Sequence, residues 1–154
     1  MKSITVDDVM RELPCEDYPH ERVVELWGGR EAITPREGAE FAIPAKDRYW
    51  AMVYCVLNPM QNRMLAVRIA RHLHSLRSDV SKENIEALDV AERFANGRAS
   101  KSELLKAHFA SDTESWAATR RCAYQAAIDV VWDSEIDWEI ALQWALEMAE
   151  ESKA

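Results

Sequence analysis

Apolar side chains recur along this chain at spacings of three and four, the period of a helix, and no stretch rich in β-branched residues alternates apolar with polar as a strand would. Residues 85–104 show the pattern most clearly. Ile85, Leu88, Ala91 and Ala95, together with Ala87, Val90 and Phe94, form one broad apolar stripe. Glu86, Asp89, Glu92 and Arg93 fall on the other side, with Asp89 and Arg93 spaced for an i,i+4 pair. Asn96-Gly97 ends this helix, because glycine takes the left-handed conformation without a Cβ penalty. Ser100-x-x-Glu103 then opens the next one as a capping box, in which the hydroxyl accepts from the third amide and the carboxylate accepts from the serine amide.

The same logic divides the rest of the chain. A short helix over 6–13 is stopped by Pro14. A second, over 20–27, places Val23, Val24 and Trp27 on one face and ends at Gly28-Gly29. Thr34-Pro35 starts a short turn. Ile43-Pro44 opens a helix over 45–57 that buries Tyr49, Trp50, Val53, Tyr54 and Leu57. Asn58-Pro59 caps a helix over 59–77, with Leu65, Ala66, Ile69, Ala70, Leu73 and Leu76 as its core stripe and Gln61, Arg68, His72 and Ser75 as its wet face. Ser81 caps the helix that carries the 85–95 stripe. A short helix follows over 104–110, and Ser111-Asp112 caps a single helix reaching Trp132, with Trp116, Thr119, Ala123, Ala127 and Val130 inward. After a break at Asp133-Ser134, Asp137 starts the last helix, with Trp138, Ala141, Leu142, Ala145 and Met148 inward. All five prolines lie in the first 59 residues. The pattern therefore predicts an all-α fold, an irregular bundle of about seven helices, with short helices N-terminal and longer antiparallel helices C-terminal. It reads as one domain over 1–154, with short helices and turns over 1–59 and the main helical core over 60–154.

Composition narrows the setting. No apolar run approaches the ~20 residues a membrane helix needs, and residues 1–7 lack the apolar core of a signal peptide. Cys15, Cys55 and Cys122 are odd in number and widely spaced, which points to reduced thiols and a cytoplasmic location rather than a disulfide framework. A net charge of −8 argues against direct nucleic-acid binding. That charge is uneven. Residues 60–110 carry 9 basic and 6 acidic side chains, a net of +3, whereas residues 111–154 carry 3 and 10, a net of −7. Asp129, Asp133, Glu135, Asp137, Glu139, Glu147, Glu150 and Glu151 make the last third an acidic surface able to draw in a basic partner. Arg63, Arg68, Arg71 and Arg77 on one helix have the mirror reading, a site for an anionic partner, although pairing within the chain is the simpler use of them.

Candidate chemistry is sparse. His72 and His74 are two apart on a helix, about 200° around its axis, and cannot share a metal there. His20 and His108 stand elsewhere, and neither His-Glu-x-x-His nor Glu-x-x-His occurs. There is no Gly-x-Ser-x-Gly, no Cys-x-x-Cys, and no phosphate loop among the four glycines. No catalytic, cofactor or metal residues are assigned. The six tryptophans read first as core packing. Trp132 and Trp138 flank the break at Asp133-Ser134; Trp138 and Trp144 point to different sides of one helix, and whichever of them is exposed would serve as an interface anchor.

Two segments carry a resemblance: Ile43-Pro44-Ala45-Lys46-Asp47-Arg48-Tyr49-Trp50, and the Ala-Glu-Arg-aromatic-Ala-x-Gly-x-x-Ser-x-x-Glu-Leu run ending at Leu104. In content, order and separation they resemble an alanine-rich helical family of bacteria and their phages, some members of which are labelled immunity proteins of toxin loci. The dense alanine repeat of that family is thinner here after Leu104, limited to Ala117-Ala118 and the Ala123 to Ala127 region. The resemblance implies a helical fold and a binding role, and supplies no catalytic residues. The resulting expectation is a non-catalytic protein that binds or inhibits another protein in a toxin–immunity or phage–host conflict, by surface occlusion. Asp133, Glu135, Asp137, Trp138 and Glu139 are its candidate partner-binding residues, with Arg68 and Arg71 on the basic helix. Homo-oligomerisation stays open. The alternatives are an acidic DNA mimic, which needs a continuous stripe of charge, and an enzyme with an unfamiliar site, which needs a deep pocket holding a perturbed His or carboxylate.

Overall fold

The computed structural model describes residues 2–151, and every structural statement below refers to them. They form ten α-helices and one π-helical turn, with no strand; the nearest approach to one is a single antiparallel bridge between Ile4 and Ile33. The chain packs as two compact units, Met1–Leu57 with Leu142–Ala154, and Asn58–Ala141.

In the first unit the helices are short because caps and prolines start and stop them closely. α1 (Val6–Arg11) begins at a capping box between Thr5 and Asp8, and α3 (Pro35–Ala39) at another between Thr34 and Glu37. α2 (His20–Trp27) ends at Gly28, whose φ of 58° is left-handed. Val23 and Trp27 are buried one turn apart, while Val24, expected beside them, is exposed; two turns of helix offer only a narrow inward stripe. Ile4, Val9, Tyr18, Val23, Trp27, Ile33 and Cys55 form the core. The Trp27 indole N–H donates to the Ile4 carbonyl at 3.0 Å, which satisfies its polar atom inside that core. α4 (Ala45–Ala51) runs into the π-helical turn Met52–Val56, where the Leu57 amide reaches back five residues to the Met52 carbonyl at 3.0 Å. The wider turn shifts the register of the helix expected over 45–57. Met52, Val53, Cys55 and Leu57 are buried, and Trp50 and Tyr54 are only half-buried.

The second unit is organised around α5 (Pro59–Ser75), which packs against α6 (Lys82–Ala95), α8 (Thr113–Ala118) and α9 (Ala123–Trp132). From Gln61 to Ala70 it is buried on nearly all sides. Gln61, expected on the wet face, is buried; its side chain accepts from the Asn58 amide at 2.9 Å while Asn58 accepts from the Gln61 amide at 2.8 Å, so the polar groups are satisfied within the cap. Leu76, expected in the core, is exposed because the helix has ended at Ser75. α6 buries Asn84, Ala87, Leu88 and Ala91, and leaves Ile85 51% exposed. The inward stripe thus begins one residue earlier than the apolar pattern suggests, on a polar side chain. α7 (Lys101–Ala110) opens at the Ser100–Glu103 capping box, with bonds of 2.8 and 3.1 Å.

The single helix expected over 111–132 is broken. α8 stops at Ala118, the chain turns through 119–122, and α9 starts at Ala123. No glycine or proline stands there. The stop comes instead from Arg63, 2% exposed, whose Nη1 donates to the carbonyls of Ala118 (3.0 Å) and Arg120, and whose Nη2 donates to that of Arg121 (3.0 Å). A cation at a helix C-terminus satisfies carbonyls that the helix cannot, and opposes the negative end of its dipole. Burial lowers the Arg63 guanidinium to about 10, still charged at neutral pH. One member of the expected basic face is therefore an internal cap.

Candidate protein-binding surface

The acidic turn between α9 and α10 (Trp138–Glu151) is held by short-range bonds. Ala126, Ala127, Val130 and Val131 bury the inner side of α9 and fix its last turn. The Asp133 amide donates to the Asp129 carbonyl at 2.9 Å, continuing the helical pattern one step. The Ser134 hydroxyl donates to the Val131 carbonyl at 3.2 Å and accepts from the Ile136 amide at 3.3 Å. Asp137 then caps α10, its carboxylate accepting from the Glu139 amide at 2.9 Å. Backbone and side-chain bonds thus close a tight turn with no glycine, and α10 leaves it with Ala141, Leu142, Ala145, Leu146 and Ala149 buried.

This geometry sets Trp132 on the outside. It is 65% exposed, and its ring meets the half-buried Trp138 edge-on, with centroids 6.1 Å apart and planes at 69°. Asp133, Glu135, Asp137 and Glu139 are all exposed around the pair. From residue 122 to residue 152 the sequence has no Lys or Arg. The result is an exposed tryptophan, backed by a second one, with an acidic rim.

The arginines of α5 differ. Arg71 donates through Nη2 to Asp89 at 3.0 Å and to Glu92 at 2.9 Å, both on α6. Its bond to Glu92 holds that carboxyl below the usual range and raises the Arg71 guanidinium in turn. Asp89 pairs with Arg71 rather than with Arg93, whose Nη1 donates to the Arg98 carbonyl. Arg77 is bonded to Glu114, and Arg68 is half-buried with interactions of its own. Of the eight sequence-predicted acidic residues, Asp133, Glu135, Asp137 and Glu139 share one exposed turn, while Asp129 pairs with Arg120, Glu150 pairs with Arg36, and Arg71 serves the α5–α6 contact.

A polar cluster that the apolar pattern does not reveal joins α5, α6 and α8. Asn84 donates through Nδ2 to the Asp112 carboxylate at 2.6 Å, and its Oδ1 accepts from the Asp112 amide at 2.9 Å. The Ser115 hydroxyl, fully buried, donates to the Asn84 carbonyl at 2.9 Å and lies 3.1 Å from His74 Nε2. Which of Ser115 and His74 donates in that contact depends on the imidazole tautomer. Glu114 sits 3.4 Å from the same nitrogen. Serine, histidine and carboxylate do meet, but Ser115 and Glu114 both face the same imidazole nitrogen, which is not the serine–histidine–carboxylate relay that activates a nucleophile. Its role is to hold three helices together.

Among the described residues no group of three or more His, Cys, Asp or Glu is placed to hold a metal ion, and no helix is long and apolar enough to cross a membrane. Comparison with family models, curated proteins and solved structures gives no significant match.

Proposed function

We propose that this chain is a non-catalytic protein that binds another protein, and that it docks through the acidic turn centred on Trp132. The observation that carries this reading is the exposed Trp132 ring, set edge-on against the half-buried Trp138 and surrounded by four exposed carboxylates on one turn. Large aromatic side chains anchor interfaces because they bury much area at little entropic cost, and a one-signed rim speeds the encounter with an oppositely charged partner. The resemblance of residues 43–50 and of the run ending at Leu104 to helical proteins of toxin loci supports a partner drawn from a bacterial or phage conflict, held by surface occlusion.

Affinity capture with the full chain as bait tests it, alongside Trp132→Ala and the pair Glu135→Lys/Asp137→Lys. A protein retained by the wild type and lost with both variants is the expected result. A set of captured proteins that is the same for all three baits would overturn the reading.

A further inference from the structure

α7 exposes a second apolar surface of opposite electrostatic character. It turns Leu104 into the core and leaves Leu105 (53%) and Phe109 (78%) in solvent one turn apart. At 100° per residue, Lys101 lies about 40° to one side of Leu105 and Lys106 about 60° beyond Phe109, so lysines flank the apolar pair on both sides. Glu103 lies across the helix and is used by the cap at Ser100. The aromatic surface continues from Phe109 to His108 (centroids 5.6 Å apart) and on to Trp116 (4.7 Å), with the Arg120 guanidinium 5.1 Å above the Trp116 ring. Single exposed apolar residues are ordinary on a protein surface; two large ones at i and i+4 between lysines form a face without a partner.

We propose that a second copy of this chain occupies that face, setting its acid-rimmed Trp132 turn against the lysine-flanked Leu105–Phe109 pair. Each surface has an aromatic centre, and each has the rim charge the other lacks. The proposal rests on the reading of the 132–139 turn as a docking surface and gives that surface a second occupant, one that competes there with the partner proposed above. Because two different patches meet, the contact is heterologous: two joined copies leave one patch of each kind free between them, and assembly grows as a chain or closes as a ring.

Sedimentation velocity on the purified full chain, from about 10 μM to about 1 mM, tests this over the range expected of a small interface. The expected result is a sedimentation coefficient that rises with concentration at low salt and falls back towards the monomer value at high salt. Phe109→Glu and Trp132→Lys change exposed residues, and far-UV circular dichroism checks that each stays folded. Each alone should be monomeric, because every contact needs one patch of each kind. Mixed, they should form a one-to-one dimer that does not grow, since Phe109→Glu keeps the acidic turn and Trp132→Lys keeps the α7 face. A monomeric wild type across the range, or association that both variants retain, would overturn the proposal. A parallel titration with a helical Leu/Phe/Lys peptide, followed by the indole N–H resonance that Trp132→Lys removes, separates the two readings. If the wild type is monomeric and the resonance moves, the turn docks basic helices but not a second copy. If it is monomeric and the resonance stays still, both readings fall.

Discussion

The guanidinium of Arg63 donates to the main-chain carbonyl of Ala118 at 3.0 Å, and through the same fork to Arg120 and Arg121, so a side chain on α5 ends α8. Its Nε is buried without a hydrogen-bond partner, and the group faces the Phe94 ring at 5.5 Å. Replacing Arg63 by Ala leaves buried carbonyls unsatisfied and opens a cavity. We predict a loss of about 3 kcal/mol or more in urea unfolding. Arg63→Lys should recover only part of it, because an ammonium cannot span three carbonyls as the fork does. Equal stability of the wild type and Arg63→Ala would contradict this role.

That pairing also marks where the sequence is readable and where it is not. The capping residues Thr5, Thr34, Asn58, Ser81 and Ser100 all accept from the amide three residues on, as their local signatures suggest, because a cap needs only its own neighbours. The break after Ala118 has no local signature: its cause is Arg63, 55 positions earlier. Asn84 is similar, since a buried polar residue matched by Asp112 looks in sequence like the wet side of a helix. At the candidate site, Asp133-Ser134 and the surrounding carboxylates are legible as a polar break. The exposure of Trp132 is not, because helical spacing cannot separate a core tryptophan from one just past the last buried turn.

Asn84 and Asp112 hold the start of α8, where Thr113 has a φ of 50°, a left-handed conformation that costs a β-branched residue energy. Asn84→Ala removes both bonds of the reciprocal pair and leaves the Asp112 amide without its acceptor. The expected loss is about 1–3 kcal/mol, and hydrogen exchange should show the amides of α8 losing protection before those of α9. Uniform loss across both helices would argue against a local role for the pair in holding α8.

Burial lowers His74 below the usual histidine range, against the pull of Glu114 and with Arg77 and Arg71 adding to the depression, while Asp112 opposes it. Its folded-state value is thus below its unfolded value of about 6.5, and the unfolded chain binds more protons between the two. Stability from neutral His74 is fully present above the unfolded value and is lost as pH falls through the folded one. His108, lowered by burial as well, adds in the same direction. The urea midpoint should therefore fall on going from about pH 7.5 to about pH 5, and His74→Gln should make that fall shallower. An unchanged pH slope in the variant would remove His74 from the account.

Serine 100 offers a local control. Its hydroxyl accepts from the Glu103 amide at 3.1 Å and its own amide donates to the Glu103 carboxylate at 2.8 Å, all at an exposed helix start. Ser100→Ala should cost about 1 kcal/mol in urea unfolding and leave capture of a partner other than this chain itself unchanged, because no residue of the acidic turn takes part in the Ser100–Glu103 cap. A loss of capture with this variant would show that the binding assay reports folding rather than the surface.

The most direct test of the binding account is the dissociation constant, measured by calorimetry, between the full chain and the protein it captures, with and without Trp132→Ala. Trp132 is exposed, so folding stability should shift by no more than about 0.5 kcal/mol. An anchor truncated at the centre of an interface should weaken binding by about 30-fold or more. A dissociation constant unchanged by Trp132→Ala would contradict the central claim.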